Sequence, residues 1–169
     1  MMREFLAFAV VFCLSAAAHA EQGKQAALGM KDPNAPIEYT ADKFDADANS
    51  KTAILSGHVV IRQGEVRMYA DNVRVNIVNG KAEKIFAQGR VVVDAPSGTA
   101  TGDNGVYDVN PRLVTLTGHV VLTKEKNVMR GSLLTVNLIT GLAKLDGGKK
   151  QGGRVQGLFT PTSQTTDKP

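Results

Sequence analysis

Two histidines and three aspartates recur at related positions in the 169-residue sequence and are its first candidates for chemistry. His58 and His119 each follow a glycine, in the similar stretches SGHVV and TGHVV. Asp42, Asp71 and Asp103 also share one register of an internal repeat. Imidazoles and carboxylates are common metal ligands and common general acids and bases. Such chemistry requires the strands that carry these residues to bring them together.

The spacing of these residues argues against a catalytic or metal site. In a stack of repeats the two histidines lie two copies apart, with Arg90 between them, so we expect about 10 Å to separate them. A carboxylate pair for glycoside hydrolysis must converge across a cleft, whereas these aspartates stack on one face. We therefore predict solvent-facing histidines, aspartates that hydrogen-bond at turns or edges, no catalytic residue, no metal and no cofactor.

The elements that position these residues are repeated β-strands. Gly57, Gly89, Gly118 and Gly147 are spaced by 32, 29 and 29 residues, and a fixed period of about 30 is typical of a stacked architecture. Alternation of apolar and polar residues dominates after residue 36, and Asn79–Gly80 is a strong hairpin signal. We predict a dozen or more short strands, mostly joined by tight turns, with the repeated glycines at turns.

The alternation also separates the two faces of the predicted sheet. Positions two and four after Gly57, Gly89 and Gly118 are apolar, as are most of positions sixteen, eighteen and twenty. The intervening positions are mostly polar, apart from Val60, Val92 and Val121, which we interpret as exposed strand formers. The prediction is an all-β protein whose antiparallel sheet, built from stacked repeats, folds over into a twisted jelly roll with an apolar inner face.

The two ends of the chain differ in composition from the repeats. Residues 1–20 have the basic start, short apolar run and small-residue ending of a cleavable signal, and an uncleaved anchor is the alternative. We interpret residues 21–36 as a flexible leader, 37–158 as the β-domain and 159–169 as a disordered tail. Cys13 is the only cysteine, so the mature chain would have no disulfide or thiol chemistry. The net charge of +4 suits an acidic ligand, while 5% aromatic residues and no tryptophan give no reason to expect a nucleic-acid partner.

These motifs together resemble the lipopolysaccharide transport LptA/OstA-like family. The resemblance lies in GHVVIRQG at 57–64, followed by ADNV at 70–73, and in LVTLTGHVVL at 113–122. It implies a periplasmic β-taco that shields the acyl chains of lipopolysaccharide in an apolar groove. It also implies a path from an inner-membrane complex to an outer-membrane translocon, with LptC-like and LptD-like jelly rolls added at the sheet edges. Head-to-tail self-association is left open.

The resemblance implies that the inner face binds the acyl chains of the lipid. The residues expected to line the groove are Ile37, Tyr39, Phe44, Leu55, Val59, Ile61, Val66, Met68, Val73, Val75, Val91, Val93, Tyr107, Leu116, Val120, Leu122, Met129, Leu134, Val136 and Leu138. The basic residues expected at the rim, near the anionic head group, are Arg62, Arg67, Arg74, Arg90 and Arg112. Val155, Leu158 and Phe159 are expected either to form a last edge strand that docks a partner or to be part of a frayed end.

Three alternatives remain open from the sequence. An LptC-like component of the same path would keep its N-terminal anchor. A secreted β-repeat adhesin or scaffold would have an apolar core but no lipid slot. A polysaccharide-processing β-repeat enzyme would need a catalytic cleft, for which the sequence offers no residues.

Overall fold

Ten antiparallel β-strands form one sheet in the computed structural model, which describes residue 32, residues 34–148 and residues 153–160. The strands are β1 (Ile37–Thr40), β2 (Lys43–Asp47), β3 (Thr52–Gln63), β4 (Val66–Val78), β5 (Lys81–Ala95), β6 (Gly98–Asp108), β7 (Leu113–Lys124), β8 (Asn127–Asn137), β9 (Ala143–Asp146) and β10 (Gln156–Leu158). The predicted signal, most of the predicted leader and residues 161–169 lie outside the described residues. Among those described, no helix is long and apolar enough to cross a membrane.

The strand order follows the sequence along the middle of the sheet, because each connection there is a tight hairpin. Strands β3 to β8 lie side by side in chain order. Two-residue turns at Gly64–Glu65 and Asn79–Gly80 join β3 to β4 and β4 to β5, and the second of these is the predicted hairpin. One repeat of about 30 residues is therefore a hairpin of two long strands, and the hairpins stack.

The prediction of a dozen or more short strands is wrong, because Gly57, Gly89 and Gly118 lie inside long strands and not at turns, while Gly147 follows the short strand β9. The six strands from β3 to β8 have 11 to 15 residues each. The pairing register shifts between Ser56 and Val59, between Gln88 and Val91, and between Thr117 and Val120. Each shift is a β-bulge, which bends a strand and increases its twist without ending it.

The bulges lie in a line across the sheet, which we call the crease. The part of each strand on one side of the crease forms the first arm, which contains Ile61 and Gln63 of β3. The part on the other side forms the second arm, which contains Leu55 of β3. Strands β1 and β10 extend the first arm, whereas β2 and β9 extend the second.

The two arms fold against each other with their apolar faces inward, as expected for the predicted twisted jelly roll. Tyr107 on β6 hydrogen-bonds Gln63 on β3, although β4 and β5 separate these strands in the sheet. Three strand spacings are about 14 Å, which a tyrosine cannot reach along a flat sheet. A single hydrophobic cluster contains residues from both arms, among them Leu55 and Ile61. The predicted fold class is therefore confirmed.

Candidate functional site

The inner face is a closely packed apolar layer in which neighbouring strands contribute equivalent residues. Fourteen of the twenty predicted groove residues are at most 7% exposed, and they are Leu55, Val59, Ile61, Val66, Val73, Val91, Val93, Tyr107, Leu116, Val120, Leu122, Leu134, Val136 and Leu138. Ile37, Met68, Val75 and Met129 are partly buried and pack against this cluster. The alternation of the sequence thus identifies the residues that face inward.

Tyr39 and Phe44 lie on the inner face but are half-exposed. Tyr39 pairs with Ile61 and Phe44 with Leu55, so each points to the same side as a buried partner. Their exposed fractions are 52% and 50%, and their rings stack with centroids 5.6 Å apart. They are exposed because β1 and β2 form the last strands at this edge of the unclosed sheet. The inner face therefore opens to solvent at its N-terminal edge.

The interior between the arms is nearly full. A cavity of about 30 Å³ lies between Ile61, Val66, Met68 and Val93 of the first arm and residues of the second arm, which include Val114. This volume holds no more than one or two water molecules. The inner face thus has the chemistry of a lipid slot, but its own side chains fill it in this conformation.

The five predicted rim arginines do not form one cluster. Four of them lie away from the slot: Arg62 and Arg67 are paired on the outer face of the first arm, Arg74 stacks on Phe86 at 4.7 Å, and Arg90 lies at the crease. Arg112 alone among the five has a described contact with an inner-face residue, where its Nη1 donates to the Tyr107 hydroxyl at 3.3 Å. Alternation assigns residues to a face, but it does not show which of them lie at a rim.

Each of the three aspartates forms a hydrogen-bonded pair with His58, Arg90 or His119, and the three pairs form a column along the outside of the crease. Asp42 is 2.7 Å from Nδ1 of His58, and Asp103 is 2.9 Å from Nδ1 of His119. The guanidinium of Arg90 donates to Asp71 at 3.0 Å. A hydrogen bond from His58 to Asp42, together with the Asp42 charge, raises the pKa of His58 above its usual value.

This column is a structural feature of the bulges. A bulge leaves a backbone amide without its ladder partner, and the His119 amide donates instead to Asp103 at 3.2 Å. The prediction that the aspartates hydrogen-bond at turns or edges is wrong for Asp71 and Asp103, because each of them bonds to the neighbouring strand at a bulge in the middle of the sheet. The expected separation of about 10 Å between the histidines is wrong, because four strand spacings between β3 and β7 amount to about 19 Å. Within the described part of the chain, no group of His, Cys, Asp and Glu has metal-binding geometry.

One polar contact inside the slot was missed by the sequence reasoning. Gln63 is 6% exposed and accepts a hydrogen bond of 2.9 Å from the Tyr107 hydroxyl. Its Nε2 donates to the Ala35 carbonyl at 3.0 Å. The available signal was a tyrosine at an apolar inner position, because a buried tyrosine hydroxyl usually requires a partner.

The two sheet edges carry short strands. Strand β10 has three residues, and it leaves Val155 and Phe159 outside the strand. Leu158 pairs with Val128, and all three predicted edge residues are exposed, by 46% at Val155, 64% at Leu158 and 66% at Phe159. Short terminal strands limit edge-to-edge association without covering the edge completely.

Comparisons with known proteins agree with this architecture. Residues 38–142 match the family model described as the LptA/(LptD N-terminal domain) LPS transport protein. An uncharacterized protein of Rhizobium meliloti (strain 1021) is 32% identical over 142 residues, which cover 78% of this chain and 75% of that protein. The lipopolysaccharide export system protein LptA of Escherichia coli (strain K12) is 26% identical over 151 residues, covering 81% and 77% of the two chains.

A solved structure supports the fold independently of close sequence similarity. The crystal structure of LptH, the LptA-homologous periplasmic component of the lipopolysaccharide transport device of Pseudomonas aeruginosa, superposes with a TM-score of 0.70. The match has 19% identity and covers 78% of this chain and 100% of that one. With a family match over more than half of its length, the chain belongs to the LptA/LptD N-terminal domain family of lipopolysaccharide transport proteins.

Proposed function

We propose that this protein is a periplasmic lipopolysaccharide carrier and not an enzyme. In this role it holds acyl chains against its apolar inner face and passes the lipid from an inner-membrane export complex toward an outer-membrane translocon. The observation that supports the proposal most is a continuous apolar inner face on an unclosed sheet. The family assignment supports lipopolysaccharide as the ligand of that face.

The physical chemistry of the inner face is sufficient for this role. Moving an acyl methylene from water onto an apolar surface is favourable by about 0.8 kcal/mol. A face lined by Val, Ile and Leu provides this along its whole length and needs no single decisive side chain. Since the interior is filled in this conformation, acyl chains must separate the arms or enter from the edge where Tyr39 and Phe44 are exposed.

Binding of fluorescent lipopolysaccharide to a pair of variants tests the proposal. Ile61→Asp places a carboxylate on the inner face, whereas Val60→Asp places the same charge next to it on the outer face. We expect Ile61→Asp to reduce affinity at least tenfold and Val60→Asp to leave it near the wild-type value. Circular dichroism checks that both are folded, and Met68→Asp, at a half-buried inner position, replaces Ile61→Asp if that variant unfolds. Wild-type affinity in a folded inner-face variant would contradict the proposal.

We also propose that the carrier joins partner jelly rolls, or another copy of itself, by strand addition at its two edges. Strand addition uses unpaired backbone groups of an edge strand, and β1, β2, β9 and β10 are the terminal strands of this sheet. Removing residues 154–169 deletes β10 together with Val155 and Phe159. We expect this truncation to weaken pull-down of an LptD-like outer-membrane partner, and unchanged pull-down would exclude that edge.

Cleavage after Ala20 and release into the periplasm complete the proposal. The relatives that support it are described as an export system protein and a periplasmic component. Sequencing the N-terminus of the mature protein distinguishes this from an anchored LptC-like component. Mass spectrometry of lipid that co-purifies with the protein distinguishes it from a β-repeat scaffold without a slot.

A further inference from the structure

We propose that Gln63, Tyr107 and Arg112 form a latch that holds the two arms closed and must break before an acyl chain enters between the arms at this end of the slot. This inference rests on the proposed carrier function. It adds a means of controlling access to the inner face.

The latch connects the two arms near the open ends of the strands. Gln63 is the last residue of β3 in the first arm, and Tyr107 is the second-last residue of β6 in the second arm. The 2.9 Å hydrogen bond between them joins residues 44 positions apart in the chain. By contrast, the Thr99–Asp94 hydrogen bond and the Lys84–Asp108 ion pair each lie within one arm.

Both ends of the latch are held in place by further hydrogen bonds. Arg112 donates to the Tyr107 hydroxyl, so that oxygen is both donor and acceptor. Gln63 donates to the Ala35 carbonyl, which fixes its amide and directs Oε1 toward Tyr107. Side chains held in position by neighbouring hydrogen bonds lose less entropy when they pair, so this contact favours the closed arrangement more than a mobile surface pair would.

The latch borders the cavity that an acyl chain would have to widen. Gln63 and Tyr107 line the cavity of about 30 Å³ with Ile61, Val93 and Leu138. An acyl chain does not fit in this volume. It can enter here only if the arms separate, which stretches the hydrogen bond between Tyr107 and Gln63. Burial of the first methylenes would offset that loss.

Tyr107→Phe removes the hydroxyl and keeps the ring that fills the slot. Tyr69→Phe is the matched control, because Tyr69 lies on the outer face and is 39% exposed. We expect Tyr107→Phe to take up fluorescent lipopolysaccharide about three- to tenfold faster than wild type in stopped-flow measurements. We expect the Tyr69→Phe rate to equal the wild-type rate.

A distance measurement without ligand separates the latch from the carrier function. The chain has no cysteine after Cys13, so spin labels at Arg62→Cys and Val106→Cys would be unique in the mature protein. These outer-face positions adjoin Gln63 and Tyr107. We expect Tyr107→Phe to lengthen or broaden the electron–electron distance distribution relative to wild type and to Tyr69→Phe.

Each outcome decides the proposal. A longer or broader distance together with faster uptake supports the latch. An unchanged distance, or uptake that is unchanged or slower, overturns it. If the wild type takes up no lipopolysaccharide, the carrier function fails and the distance alone decides whether a latch exists. If Tyr107→Phe does not fold, Gln63→Leu, which removes the acceptor, is measured in the same two assays.

Discussion

A double substitution at the centre of the inner face gives the most quantitative prediction. Leu116 is fully buried, and it pairs directly with Gly105. Leu116→Ala removes three carbons and leaves a cavity, so we expect it to lower the free energy of unfolding by about 3 to 5 kcal/mol. Gly105→Ala alone adds a methyl group whose carbon would lie 3.1 Å from Leu116 Cδ2 and 3.1 Å from Val91 Cγ1.

The two substitutions should compensate each other. In the wild-type background the added methyl is too crowded, which costs about 1 to 3 kcal/mol, and removal of a strand glycine recovers about 0.5 to 1 kcal/mol. In the Leu116→Ala background one of the two close contacts is gone, and the methyl fills part of the new cavity. Gly105→Ala should therefore change from destabilising to stabilising, with a coupling of at least about 1 kcal/mol.

Chemical denaturation of wild type, both single variants and the double variant measures this coupling. Far-ultraviolet circular dichroism, or tyrosine fluorescence to which the core residue Tyr107 contributes, reports unfolding, and equal denaturant dependence across the four proteins is the control. Additive effects within about 0.5 kcal/mol would refute the reasoning. They would mean that Gly105 and Leu116 do not share one packed space between the strands.

Two further predictions concern the crease. Because Asp42 raises the pKa of His58, NMR titration should place it above 6.5, and Asp42→Asn should lower it. The stabilisation by this pair is complete below pH 6.5 and is lost as the pH rises through the pKa of the folded protein; an unchanged pKa in Asp42→Asn would exclude the pairing. Gly118 and Gly80 both have positive φ, at 101° and 73°, so alanine strains either site by about 1 to 2 kcal/mol. Only at Gly118 would the methyl also meet the Asp103 carboxylate, so Gly118→Ala should lower the melting temperature more than Gly80→Ala, and equal losses would refute the bulge account.

The inner face could be predicted from sequence because alternation is a local property. Side chains point to opposite faces of a strand with period two, so Val59, Ile61 and their equivalents could be assigned without a structure. The hairpin at Asn79–Gly80 could also be predicted, since a two-residue turn has its own residue preferences. The stacked repeats predicted the fold-over, and the family resemblance added the expectation of a lipid ligand for the apolar face.

The bulges could not be recognised from the same pattern. A glycine between two apolar segments has the same appearance whether it ends a strand or kinks it, and the difference depends on the partner strand. In the structure, Asp103 supports the bulge at Gly118 and His119 from the neighbouring strand. This contact spans 16 residues, so it could not be read from local sequence.

Contacts between the arms could not be predicted from the sequence either. The pairing of Gln63 with Tyr107 depends on how far the sheet twists as it folds over, and twist accumulates over several strands. For the same reason, the five arginines could be assigned to strands but not to a common rim. Their actual positions divide them between the outer face, the crease and the slot.

The most direct test of the carrier account is photocrosslinking in cells from two adjacent residues of β4. A photoreactive amino acid at Met68 lies on the partly buried inner face, whereas the same group at Tyr69 lies on the outer face. The account predicts a lipopolysaccharide adduct on illumination from position 68 and none from position 69. Equal adducts from both positions, or none from position 68 in a folded and expressed protein, would contradict the claim that the inner face carries the lipid.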